Sequence, residues 1–125
     1  MISKKEFDGY REIVESKDTQ ETLASGSPDA IGKLGGMMSV YYARVANELA
    51  TVKDEIMAET LRLSQTVDEK NKPISMTRAE TESEINVNKK QEVSRRSMEY
   101  LMDGMDKISF ACSARVRSMN KEGNW

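Results

Sequence analysis

The stretch YYARVANELATVKDEIMAETLRL, residues 41–63, decides how this chain folds. Counted from Met38, the residues Met38, Tyr42, Val45, Leu49, Val52, Ile56, Glu59 and Leu63 fall at alternating steps of four and three. That spacing holds one stripe of a helix against a partner helix, and only Glu59 in it is neither apolar nor aromatic. Between them lie Arg44, Glu48, Lys53, Asp54, Glu55 and Arg62, which belong in water. The seam predicts a helix over 37–66, roughly 45 Å long at 1.5 Å per residue.

Toward the C-terminus, TVDEKNKPIS (66–75) is a turn, where a polar run and Pro73 stop the helix. Thr77 and Glu80 form a capping box that opens a short helix over 77–86, sparsely apolar at Ala79, Ile85 and Val87. Asn86 and Asn88 give a second stop-and-start signal, with Asn88 and Gln91 as its box, so a break is expected at 86–88. A last helix is expected over 89–119. Its stripe is Met98, Leu101, Met105, Ile108, Cys112 and Met119, widened by Val93, Met102 and Val116. The four-three rhythm makes it the antiparallel partner of the 38–63 seam, and its surplus apolar surface is expected to join subunits. Residues 120–125, NKEGNW, read as a frayed tail.

Toward the N-terminus, residues 1–16 hold a short helix. Ser3 and Glu6 cap it, and Phe7, Tyr10, Ile13 and Val14 share one side. Residues 17–27 are small and polar without periodicity, a linker. Ser27 and Pro28 start a further helix. Gly32, Gly35 and Gly36 then disfavour it, and two readings stand: an interrupted helix, the one favoured, or a patch where another backbone comes close. The expected fold is therefore all-α over one domain, 1–125. It is a long antiparallel helical hairpin with a short N-terminal helix and a short helix after the turn, oligomerising through the C-terminal helix.

Composition agrees with narrow stripes rather than a thick core: 38% of residues are hydrophobic, 32% charged and 6% aromatic, with nine Met. The chain has no histidine, which removes His-based triads and zinc sites. Its single cysteine, Cys112, falls on an apolar stripe and reads as a buried thiol rather than a nucleophile. Carboxylate pairs such as Asp54 with Glu55 read as solvated faces, and no phosphate-loop or zinc-protease motif occurs. No enzyme activity, metal or cofactor is expected. Without a bilayer-length apolar run or a signal-peptide core, the chain is expected to be soluble and cytoplasmic, with no membrane partner.

The net charge is −2, but its distribution is uneven. Glu80, Glu82 and Glu84 precede a basic group, Lys89, Lys90, Arg95 and Arg96. Such a group beside a helix start can hold phosphates, whereas the plainer reading is two solvated helix faces. Single-strand binding also needs aromatic platforms. Tyr41, Tyr42, Tyr100, Phe110 and Trp125 are available, most of them better suited to a core.

In its order of segments the chain resembles the UvsY-type recombination mediators of tailed phages. The resemblance covers most of residues 37–119: the 41–63 seam, the turn with "KP", TRAETESEIN, and SMEYLMDGMDKISFACSARVRSM. It implies an all-helical protein that forms a ring-like homo-oligomer through its C-terminal helices. It also implies binding to single-stranded DNA and help in loading a RecA-like recombinase onto DNA covered by a single-strand-binding protein. The family's basic motif at the end of the first long helix is matched at Arg62, while Thr60 stands where a lysine is expected and SQTVDE replaces the tyrosines and glycine that follow. The expected DNA contacts are therefore Lys89, Lys90, Arg95 and Arg96, with Arg62. The competing reading is a helical module that binds protein only, as an assembly, adaptor or inhibitor protein.

Overall fold

The computed structural model describes residues 1–123, and among them the protein is all-helical: α1 (Lys4–Glu15), α2 (Lys17–Ser25), α3 (Pro28–Ser64), α4 (Met76–Lys89) and α5 (Arg95–Gly123). The end of the expected tail, with Trp125, lies outside the described residues.

Helix α3 organises the molecule. Ser27 caps it through a hydrogen bond from the Ala30 N–H, Pro28 fills its first turn, and it runs unbroken for 37 residues, about 55 Å. The expected interruption at the glycines does not occur. Burial extends the stripe upstream to Ile31 and Leu34 and continues through Met38, Val45, Leu49 and Val52. Helix α5 lies along this stripe, with Gly35 beside Cys112 and Lys53 beside Glu99. A Cβ on Gly35 would stand 3.2 Å from the Cys112 Cβ, so glycine is what lets the two backbones approach here. Tyr42 is turned to the exposed edge of the seam, because a straight helix drifts from a strict heptad. Its neighbour Tyr41 instead stacks on Tyr10 of α1, ring centres 4.7 Å apart.

Residues 17–25, expected as linker, form α2. Ser16 ends α1 and caps α2 by accepting from the Asp18 N–H at 3.1 Å. Thr19 is buried and donates to the Ile13 carbonyl at 2.6 Å, and Leu23 packs on the core. One cap and two inward side chains suffice where no apolar period is visible in the sequence.

The turn at 66–75 is closed by a single bridge between Val67 and Pro73, with Asp68 Oδ1 accepting from the N–H groups of Lys70 and Lys72. Helix α4 is capped by Ser75 rather than Thr77, and it continues through the expected break at 86–88 to Lys89. Burial of Val87 holds it there. The break falls at 90–94, and α5 begins at Arg95 instead of residue 89. Ser94 supplies its cap, accepting from the Ser97 N–H at 3.2 Å, while Asn88 reaches across to accept from the Arg95 N–H at 3.3 Å. The core cluster thus joins Phe7 of α1, the α3 stripe, Val87 of α4, Val93 of the connector and the α5 stripe.

Candidate nucleic-acid interface

The structure separates the basic residues that lie together in the sequence. Arg95 points back between α4 and its own helix: Nε and Nη2 donate to Glu84 Oε1 at 3.0 and 2.7 Å, and Nη1 donates to Glu99 at 3.0 Å. Its side chain is 25% exposed, and the hydrogen bonds to Glu84 raise its pKa against the cost of desolvation. Arg95 is a tie between helices, with its donors spent. Arg96, one residue on, is exposed and has no ion-pair partner among the described residues.

Lys89 and Lys90 are exposed at the end of α4. Beside them on α3, Arg62 grips Glu59 at 2.6 Å. The Arg62 hydrogen bond holds the Glu59 carboxyl below its ordinary range, and Asn86 and Lys90 add to the effect. Arg62 and Lys90 therefore do gather, around a carboxylate that offsets one of their charges, and Lys89 precedes Lys90 in the chain.

Arg96 belongs to a different surface. Arg96, Tyr100, Lys107, Phe110 and Lys121 are all exposed and recur at multiples of the helix period, so they share the outward side of α5 over about 38 Å. Tyr100 is 80% exposed and Phe110 is 69% exposed. Asp103 lies on the same side and is tied to Lys107 at 2.9 Å. Along one edge of this face a cleft of about 670 Å³ opens between α1 and α5, lined by Phe7, Arg11, Arg96, Tyr100 and Lys107 among others. Gly104 narrows the gap to α1, since a Cβ there would stand 3.1 Å from Val14. Cationic groups and open aromatic rings alternating on one helix are what a single strand needs from a surface: charge for phosphates and rings for bases.

Sequence reasoning missed Lys107, Lys121 and Arg11, and read Tyr100 and Phe110 toward the core. The signal was present as the complement of the apolar stripe: 96, 100, 103, 107 and 110 repeat the same four-three steps half a turn away from 98, 101, 105 and 108.

The residues expected to join subunits are used inside the chain. Met98, Leu101, Met105, Ile108 and Cys112 are buried in the chain's own core, and Met119 packs partly buried on it. Burial raises the Cys112 thiol pKa, which agrees with an inert sulfur. No cluster of three or more His, Cys, Asp or Glu able to hold a metal occurs among the described residues, and none of the described helices is long and apolar enough to cross a membrane. Comparison with family profiles, with curated proteins and with solved structures finds no match.

Proposed function

We propose that this protein is a non-enzymatic, single-stranded-DNA-binding recombination mediator, an oligomer built on the α3–α5 antiparallel hairpin. Its task would be to help a RecA-like recombinase displace a single-strand-binding protein. The order of segments that resembles UvsY-type mediators supports the recombination role. One structural observation carries the DNA reading: the outward face of α5, where Arg96, Lys107 and Lys121 alternate with the exposed rings of Tyr100 and Phe110. A solvated helix face has no need of two open aromatic rings, and single-strand binding does. Lys89, Lys90 and Arg62 form a second, weaker basic patch that a long strand reaches after the first.

Titration of a labelled oligonucleotide by fluorescence anisotropy at several salt concentrations tests the reading. Binding is expected to be tolerant of sequence and to fall by about 0.7 log units per phosphate contact for each tenfold rise in salt. Arg96→Ala with Lys107→Ala should weaken all sequences alike and flatten the salt slope. Tyr100→Ala should cost about 1–3 kcal/mol of binding with the slope kept, because stacking releases no counterions. Absence of binding at low salt removes the mediator reading and leaves a protein-only interaction module.

A further inference from the structure

Charge on the outward face of α5 cannot by itself tell a single strand from a duplex. Both present phosphates, and a duplex presents them at about twice the density along its axis, so charge alone would rank the duplex first. What a single strand has and a duplex withholds is a free base. A convex helix surface can offer a ring for a base to lie on, but only a concave one can enclose it. The cleft between α1 and α5 is such a surface, and its volume of about 670 Å³ is ample for one nucleotide.

Its lining sorts into a floor and a rim. Phe7 and Val14 of α1 and Leu101 of α5 make the floor, with contact area to offer and no hydrogen bonds. Three exposed cations stand at the rim, in unequal states. Arg11 is paired with Asp8 at 3.3 Å and lies over the Phe7 ring at 6.0 Å, and Lys107 is paired with Asp103 at 2.9 Å. Arg96 alone meets no carboxylate among the described residues. Glu15 and Asp103 also line the opening, so an acidic peptide or a polyphosphate would be repelled from the interior. A nucleobase would not, being planar and uncharged with two apolar faces. Tyr100 is 80% exposed at the mouth, one helical turn or about 6 Å along α5 from Arg96. A phosphate on Arg96 and its base beside Tyr100 are within the reach of one nucleotide.

We infer that the α1–α5 cleft receives a base turned out of the bound strand, and that this selects single-stranded over double-stranded DNA. The inference rests on the single-strand reading above and adds to it the place where strandedness is read. Arg96 takes the phosphate, Tyr100 meets the base at the mouth, and Phe7 and Leu101 lie beneath it. A paired base reaches the floor only by unpairing and unstacking, so a duplex keeps the phosphate contacts alone. The floor has no donor or acceptor to read a base edge, so choosing the strand form does not choose a sequence.

Fluorescence anisotropy at one low salt concentration tests it with three labelled ligands of equal length. They are a single strand, its duplex, and a single strand whose bases are replaced by abasic sites. The parent should bind the single strand about tenfold tighter than either of the others. Ser97→Leu fills the cleft from an exposed position on its wall and leaves the charge unchanged. The backbone N–H that donates to Ser94 is retained, so helicity should be kept. This variant should lose the preference for the single strand while binding the duplex and the abasic strand as the parent does. A Ser97→Leu protein that keeps the full preference overturns the cleft and leaves phosphate binding by α5 standing, as does a parent that binds all three ligands alike. Equal weakening of all three by Ser97→Leu would place its effect on the phosphates and overturn the cleft as well. Failure of the parent to bind any of the three removes the single-strand reading itself, and the cleft falls with it.

Discussion

At Arg95 the guanidinium spans Glu84 on α4 and Glu99 on α5, and at Arg96 it meets no carboxylate among the described residues. Adjacent helix positions point about 100° apart, so two arginines in a row are divided between an inner and an outer task. Arg95→Ala is therefore a stability change, costing roughly 1 kcal/mol for a half-buried, doubly paired group. Tyr10 shows the same logic in a neutral group. Its hydroxyl donates to Glu6, whose carboxylate also meets Arg44 Nε at 3.0 Å, and its ring stacks on Tyr41. Desolvation first, then the Glu6 bond and charge, push the Tyr10 pKa from 10.0 up to about 12. The folded value lies above the unfolded one. The contribution to stability is therefore whole below pH 10 and is lost as pH rises toward 12. Titration of tyrosinate absorbance should show a late ionising step approaching pH 12, and Tyr10→Phe should remove it. A late step that survives in Tyr10→Phe would assign it to another ring.

The long helices are legible in the sequence because their apolar period is regular and each position repeats the message of the last. Met98, Leu101, Met105, Ile108 and Cys112 are buried where the four-three steps put them, and so are Met38, Val45, Leu49 and Val52, with Tyr42 the exception. Helix α2 is not legible, since its inward side is one threonine and one leucine and its start is the serine that also ends α1. The end of α4 escapes for a related reason. Asn86 has the chemistry of a stop, but its side chain lies close enough to Glu59 of α3 to help hold that carboxyl below its ordinary range, a neighbour that only the tertiary fold supplies. The candidate site divides in the same way: the basic group is visible, yet only the position of Glu84 shows that Arg95 is spent. Glycines offer a direct test of this contrast between local and tertiary control. A methyl added at Gly9 in α1 would have nothing within 4 Å, so Gly9→Ala should stabilise by about 1 kcal/mol through helix propensity. Gly35→Ala gains the same propensity but must push a Cβ against Cys112 at 3.2 Å, and its melting temperature should fall below that of Gly9→Ala. Equal gains at both positions would mean α3 and α5 have slack at their closest approach.

The whole molecule has one thin core, one helix pair wide, and methionine fills much of it: Met38, Met98 and Met105 are fully buried. An unbranched, polarizable side chain suits the irregular space between two long helices that are also crossed by α1 and α2. Helix α5 supplies Met98, Leu101, Met105, Ile108 and Cys112 to that core, while α1 rests on α5 and α2 on both α3 and α5. Removing α5 from α3 would thus undo the N-terminal packing as well. This bears on the expectation that the same stripe joins subunits. Were it an intersubunit seam, Met105→Asp with Ile108→Asp would yield folded single chains. Since the stripe is buried within the chain, the two carboxylates would instead lie unpaired beside Met38, Tyr42 and their neighbours, at a cost of several kcal/mol. A domain of this size has only about 5–15 kcal/mol to lose. The double variant is expected to lose helicity, measured by circular dichroism, at temperatures where the parent is folded, and Met105→Ala should lower stability by about 2–5 kcal/mol. A double variant that keeps its helicity and cooperative melting would place the α3–α5 contact between chains rather than within one.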